Sequence, residues 1–426
     1  MSIAPGSEVI VTVEKAVAGG RMLARHEGLV ILIAGTIPGE RVRVRIERTG
    51  RQVAYAETVD VLEADADRRP AAVEWACGGS LYSHINYPRQ QALKAELIAD
   101  AFARIGKLPL ARPFAVTASN ELGYRMRARL HARNGRIGFF REGTHELCEA
   151  GPTGQLLPAT IETIDRFRSA LGGEFFHGIS TCEIVENIPA DQRAILIEAS
   201  ESTTALERLG QIEGMTGFIV QGQEEARPHV IYGSPYVMDT LPVPGAGAPV
   251  QLRHHVRSFF QGNRWLLAPL VEHVVAQVPE DHDVLELYAG VGLFAISLAA
   301  VGKTGVVAVE GDRVSASDLD ANAEPYRDVL EVRQMSVERY LQAARRTQPS
   351  TVVLDPPRTG MSREAMSGLL ALKAPRIVYV SCDVATLARD VRRFADDGYT
   401  LEHIEAFDLF PNTAHVETLV TLTSHN

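Results

Sequence analysis

Four short stretches near the amino terminus are rich in β-branched residues and largely alternate apolar with polar positions: "EVIVTVEKAV", "LVILIAG", "ERVRVRIERTG" and "QVAYAETVDVL". Gly and Pro turns separate them, so residues 1–64 predict a small β-barrel. In the third stretch Arg41, Arg43 and Arg45 alternate with Val42, Val44 and Ile46. A strand there sends the guanidinium groups to one face and the aliphatic side chains to the other. Such a face is either a solvated exterior or the binding surface of a nucleic-acid barrel.

The polar linker "EADADRRP" follows, and then "PRQQALKAELIADAFARIG", in which Leu93, Leu97, Ile98 and Phe102 recur at helical spacing. "YRMRARLHARNGRIGFFRE" alternates through Asn134-Gly135, the strongest short signal for a tight hairpin. Residues 155 to 250 hold further strands and one or two helices without a recognisable chemical constellation, so 70–250 is expected to be a central α+β domain. From Gln251 the pattern becomes regular: "DVLELY", "GVVAVE", "VLEVRQ", "TVVLDPP" and "RIVYVSC" are strand-like runs, each followed by a helical segment. That order predicts a parallel sheet covered on both faces, a doubly wound α/β domain over 251–426. "LEHIEAFDLF" and "AHVETLVTLT" have no helical run between them and should form an antiparallel hairpin.

Composition changes this picture little. The chain of 426 residues is 46% hydrophobic and 23% charged and lacks any apolar run long enough to span a bilayer, and its first residues lack the features of a secretory signal. A cytoplasmic protein without membrane association is expected. The net charge of −10 argues against indiscriminate binding of polyanions by the whole surface. Locally, six Arg against two Glu between Glu121 and His145 make a basic region suited to phosphates. The four cysteines, Cys77, Cys148, Cys182 and Cys382, are far apart and include no C-x-x-C pair, so no disulfide framework and no zinc site is expected.

The chemistry gathers at the carboxyl ends of the predicted parallel strands. "VLELYAGVGLFAISLA" is a strand, a turn with Gly290 and Gly292 that lets backbone approach a ligand, and a helix. Glu310 ends the second strand twenty residues after Gly290, where a carboxylate can accept hydrogen bonds from ribose hydroxyls. These two features fit a nicotinamide cofactor and S-adenosylmethionine equally. Phe294, standing where a pyrophosphate would lie, and the stiff Asp355-Pro-Pro corner in "VVLDPPRTG" favour the methyl donor. Cys382 falls at the end of the fifth strand and the start of the next helix, facing the same edge, where a helix amino terminus favours a thiolate.

In "FFQGN", "LELYAGVGLF", "VVAVEGD", "VVLDPPRTG", "IVYVSCDVATLARD" and "FDLFPNTAHVETL", in this order and spacing, the chain resembles the RNA uracil-C5 (5-methyluridine) methyltransferases, in particular the subgroup with an amino-terminal TRAM barrel. The resemblance spans nearly the whole chain. It implies a Rossmann-like methyltransferase sheet, a TRAM/OB-like barrel, S-adenosyl-L-methionine as methyl donor and RNA as substrate, with ribosomal RNA favoured over transfer RNA by analogy. It further implies that Gln261, Tyr288, Gly290, Gly292, Glu310 and Asp355 line the donor site, that Cys382 is the nucleophile and Glu417 the general base, and that Arg358 helps position the base or its phosphate. Arg41, Arg43 and Arg45 become candidate RNA contacts. A monomer is expected. The rival reading is an RNA-binding or chaperone protein that keeps the fold without catalysis.

The chain departs from the family in one respect. Many members hold an iron–sulfur cluster through four cysteines, three of them in a C-x5-C-G-G-C run. Here "AVEWACGGSLYSH" keeps Cys77 but has Ala71 and Ser80 at the flanking ligand positions, and Cys148 is out of register with the fourth. One ligand of four cannot hold a cubane, so no cluster is expected.

Overall fold

The computed structural model describes residues 3–71, 73–175, 178–199, 206, 210–222, 228–343 and 348–424. β1 (Glu8–Ala16), β2 (Met22–His26), β3 (Leu29–Ala34), β4 (Arg41–Thr49) and β5 (Val53–Glu63) close a barrel in the order β1-β2-β3-β5-β4. The sequence pattern suggests four strands; β2, with only Met22 and Ala24 buried among five residues, is the fifth. Val42, Val44 and Ile46 fill the barrel core as the alternation requires. α1 (Tyr87–Arg104) adds Leu93 and Leu97 to that core on one side and packs Ile98 and Phe102 into the core of the carboxyl-terminal sheet on the other. The helix therefore couples the two ends of the chain.

β6 (Val116–Thr117) leads into the central sheet, where β7 (Arg127–Arg133) and β8 (Arg136–Phe140) turn at Asn134 and Gly135. Both turn residues have positive φ, 52° and 73°, as a type I′ hairpin needs. β9 (Leu147–Glu149), α2 (Pro158–Phe175), β10 (Ile179–Glu186), β11 (Arg193–Ala199), β12 (Gly217–Gly222) and β13 (His229–Gly233) complete a seven-stranded sheet of order β13-β12-β11-β10-β7-β8-β9. β14 (Tyr236–Leu241) and β15 (Val250–His255) pair as a separate ribbon, which straddles residue 250.

Then come α3 (Leu267–Ala276), β16 (Val284–Leu287), α4 (Leu293–Ala300), β17 (Val306–Glu310), α5 (Arg313–Asn322), β18 (Leu330–Gln334), α6 (Val337–Ala343), β19 (Thr351–Leu354), α7 (Arg363–Leu372), β20 (Arg376–Ser381), α8 (Val384–Asp396), β21 (Tyr399–Phe407) and β22 (Glu417–Ser424). Their sheet runs β18-β17-β16-β19-β20-β22-β21-β6. The reversal of order at β16, with β17 on one side and β19 on the other, is where ligands bind in open α/β sheets. β21 and β22 pair antiparallel, and β22 slots between β20 and β21, so the start of β22 lies beside the end of β20. Among the described residues no helix is long and apolar enough to cross a membrane.

Candidate active site

The turn after β16 is built for close approach. Tyr288, Gly290 and Gly292 all have positive φ, at 63°, 57° and 94°. A Cβ on Gly292 would lie 2.6 Å from a Leu319 methyl, so α4 can begin there only with glycine. A Cβ on Gly290 would meet only the Phe259 carbonyl oxygen, at 3.9 Å. The Gly290 N–H donates to Glu310 Oε2 at 2.8 Å, while Glu310 Oε1 accepts from the Asp312 N–H at 2.6 Å, so this carboxylate ties the ends of β16 and β17 together. Gln261 Nε2 donates to Asp355 Oδ2 at 3.1 Å, bringing the "FFQGN" segment to the end of β19.

Gln261, Tyr288, Gly290 and Asp355 line one crevice together with Phe259 and Glu286, two residues that the motif reading passed over, whereas Gly292 and Glu310, also expected at the donor site, are not part of its lining. Phe259 is an exposed aromatic at its rim. Glu286 lies within β16, fully buried, with Oε2 lacking any partner. The available signal was a lone carboxylate inside the apolar run "VLEL".

Burial raises all three carboxyls: Glu286 well above the usual range, Glu310 upward against its backbone hydrogen bonds, and Asp355 to about 7. Among the described residues none of the three forms an ion pair with Lys or Arg. Glu286 and Asp355, buried without a counter-charge, ionise more readily beside a cation. The crevice therefore fits S-adenosylmethionine, whose sulfonium and ammonium are both positive.

Cys382 directly follows β20, and Asp383 caps α8 by accepting from the Thr386 N–H at 2.8 Å. The Cys382 thiol is pushed up to about 12, first by burial and then by Glu417 and Asp355; the Arg358 guanidinium, hydrogen-bonded to the sulfur, acts in the opposite direction. The helix terminus expected to favour the thiolate is thus outweighed by burial and the neighbouring carboxyls. Glu417 is fully buried with Oε1 unpartnered, and it is raised well above the carboxylate range by burial and by Asp355, against Arg358. Cys382, Glu417, Asp355 and Arg358 thus share one electrostatic neighbourhood. The Arg358 turn is closed by the Gly360 N–H donating to Pro357 O at 2.7 Å and is pinned to α8 by the Met361 N–H donating to Asp390 Oδ2 at 3.1 Å and Thr386 Oγ1 donating to Arg358 O at 3.3 Å.

A second cavity, of about 340 Å³, opens beside Cys382 and is lined from three parts of the chain: Ala18 and Gly19 of the barrel, Trp75 and Leu81, and Asp383 with His415. The barrel's β1–β2 turn reaches it because Gly20, at φ 86°, sits against Leu81 and Ala414, where a Cβ would be 2.3 Å and 3.1 Å from their side-chain carbons. Sequence reasoning missed this contribution.

The arginines singled out on β4 do not line either cavity. Arg41 pairs with Glu63 at 3.0 Å, Arg45 with Glu8 and Glu57 at 3.3 Å each, and Arg43 stands opposite Asp60 on β5. On the central hairpin, Arg127, Arg129, Arg136 and Arg141 pair with Glu183, Glu198, Glu149 and Glu74. One expectation is overturned: Cys77 and Cys148 form a disulfide. The strand pairing Phe139↔Cys148 and the bridge Cys77↔Arg141 bring their Cα atoms to 5.8 Å across 71 residues of sequence, a register that spacing alone does not reveal.

The sequence pattern of the tRNA (Uracil-5-)-methyltransferase family matches residues 204–425, and that of the TRAM domain matches residues 4–59. The chain is 30% identical to the 23S rRNA (uracil(1939)-C(5))-methyltransferase RlmD of Methylococcus capsulatus, over 97% of each chain. With the RlmD of Pseudomonas putida it shares 29% identity, over 97% of this chain and 93% of that one. It is also 30% identical to an uncharacterized RNA methyltransferase of Thermosynechococcus vestitus, over 95% of each. Among solved structures, the Pyrococcus abyssi tRNA (uracil-54, C5)-methyltransferase in complex with S-adenosyl-L-homocysteine superposes with a TM-score of 0.76 at 22% identity, covering 97% of this chain and 99% of that one, and shares the fold.

Proposed function

We propose that this chain, which belongs to the tRNA (uracil-5-)-methyltransferase family and is an S-adenosylmethionine-dependent RNA uracil-C5 methyltransferase, acts on ribosomal RNA through a covalent bond between Cys382 and uracil C6. The observation that carries the covalent route is the convergence of a thiol, a buried carboxyl and a guanidinium, Cys382, Glu417 and Arg358, beside the carboxyl-lined crevice. Ribosomal RNA is favoured over transfer RNA by the similarity to the RlmD relatives, which extends over nearly the whole chain.

Uracil C5 is a weak nucleophile. The Cys382 thiol gives up its proton to solvent, the thiolate adds at C6, the C5–C6 π bond opens, and the electron pair is delocalised through C5 onto O4. S-adenosylmethionine supplies an electrophilic methyl group on a sulfonium. C5 then carries both a methyl and a hydrogen; Glu417 takes that hydrogen as a proton, the C5–C6 double bond re-forms, and the C6–S bond breaks to free the thiolate. Arg358 favours the charged forms of both Cys382 and Glu417, and Asp355 opposes them. A cation held by Asp355 offsets that opposition, so a filled donor site and a reactive thiol go together.

In the donor site, Glu310 would hold the ribose hydroxyls, and Gln261, Tyr288, Glu286 and Asp355 the cationic end. The target uridine would enter through the cavity beside Cys382. The test is mapping of 5-methyluridine in total RNA from a deletion strain by mass spectrometry of nuclease fragments. Loss of one or more sites in ribosomal RNA, restored by the wild-type gene and not by Cys382→Ala, is expected. A loss confined to transfer RNA would overturn the ribosomal assignment.

A further inference from the structure

The segment from Asp408 to Val416 joins β21 to β22 and delivers Glu417. Asn412 within it has φ 64°, a left-handed conformation that a non-glycine residue keeps only with outside support. Half of that support comes from α1. The Asn412 N–H donates to Gln90 Oε1 at 2.9 Å, and Gln90 Nε2 donates back to Asn412 Oδ1 at 2.9 Å. Arg69 also donates to Asn412 Oδ1 at 2.9 Å, and the Tyr82 N–H donates to the Asn412 carbonyl at 2.8 Å. Gln90 is completely buried and is itself fixed by donating to the carbonyls of Tyr82 and Ile85.

One turn further along α1, Lys94 is completely buried, ion-paired with the equally buried Asp408, and donates to the Phe410 carbonyl at 3.1 Å. Residues four apart share a helix face, so one face of α1 grips the loop at Asp408, Phe410 and Asn412. Cys382 is held differently, by β20 and by the Asp383 cap of α8, to which neither Gln90 nor Lys94 hydrogen-bonds.

We propose that Gln90 and Lys94 are positioning residues for the catalytic base. By fixing the loop before Glu417 they set where its carboxyl stands, so their loss slows proton removal from C5 and spares thiol addition. The inference rests on the assignment of Cys382 and Glu417 made above.

The experiment uses the full-length protein, unmodified ribosomal RNA from a deletion strain and S-adenosylmethionine, and follows formation and decay of the covalent protein–RNA species on denaturing gels. Gln90→Met should bind S-adenosylmethionine as the wild type does and form the covalent species at the wild-type rate. It should release product roughly 100-fold more slowly, the scale of a catalytic group misplaced by an ångström. Asn412→Gly, which keeps the left-handed backbone and loses the side-chain bonds, should show the same pattern more weakly and decides the question if Gln90→Met does not fold. Formation and release slowed together, or neither slowed, would overturn the proposal. Glu417→Gln serves as the control: if it accumulates no covalent species, the underlying catalytic assignment fails, whereas an accumulating control beside an unaffected Gln90→Met removes only the positioning role.

Discussion

On the outer face of β4, Arg41 and Arg45 each lie within 3.3 Å of a carboxylate and are exposed to water, whereas at the carboxyl edge of the large sheet Glu286 and Glu417 are buried with an oxygen that has no partner. The barrel face is electrostatically settled; the sheet edge is not. Exposed pairs of the first kind contribute about 0 to 1 kcal/mol and exchange partners readily, so phosphates can displace their carboxylates at little cost or gain. Buried carboxyls without a counter-charge are costly to fold and persist where a ligand completes them. On the proposed mechanism, that difference puts the chemistry at the sheet edge and leaves the barrel an auxiliary part in affinity.

The largest effects should therefore come from the sheet edge. Cys382→Ala should abolish both methylation and any covalent protein–RNA species; methylation by this variant would remove Cys382 from the mechanism. Glu417→Gln should reduce turnover by roughly 10²- to 10⁴-fold, the usual weight of a proton-transfer group, and leave the enzyme attached to methylated RNA as a slowly migrating band. Free turnover by this variant would assign the base elsewhere. Glu310→Ala should weaken S-adenosylmethionine binding by about 1.5 to 3 kcal/mol in calorimetry, the range of charge-assisted hydrogen bonds. Unchanged affinity would take Glu310 out of the donor site.

Neutralising Arg41, Arg43 and Arg45 together should have a smaller effect, lowering the salt dependence of RNA binding by about 2 in log–log slope if all three reach phosphates. An unchanged slope would identify the face as paired and solvated only. The smallest effect concerns stability. Asp355 is pushed up from 3.8 to about 7 by burial, so the folded protein holds this proton more tightly than the unfolded chain, and stability falls as pH rises from about 4 to about 7. Asp355→Asn keeps an oxygen for Gln261 and removes the charge. Its melting temperature should match the wild type near pH 4 and exceed it by a few degrees above pH 7; a gap independent of pH would mean that Asp355 titrates normally.

The same contrast explains what could be read from the sequence. Barrel strands bury one face, so Val42, Val44 and Ile46 announce themselves by alternation, and strands of a doubly covered sheet are apolar runs whose ends mark the ligand edge. The positions of Cys382, Glu310 and Asp355 at that edge were legible because each ends or directly follows such a run. β2 was not, since five residues with two inward positions make too short a pattern, and β6, at two residues, has none. Trp75, Gly19 and the grip of Gln90 on Asn412, 322 positions away, depend on contacts between distant segments and leave no local signal. The cysteine pair escaped for the same reason.

The bond between Cys77 and Cys148 makes the unfolded protein a lariat. Its closed ring spans 71 positions and contains all of α1. Closing a ring of that size lowers the entropy of the unfolded chain enough to favour the folded state by about 4 kcal/mol on the chain-entropy account. Thiols in a reducing compartment open such rings. With the ring open, the helix that grips the loop before Glu417 keeps its neighbours in the native state but unfolds into a freer chain, so the redox state of a cysteine pair, one member of which lines the cavity beside Cys382, bears on how long Glu417 stays in register with Cys382.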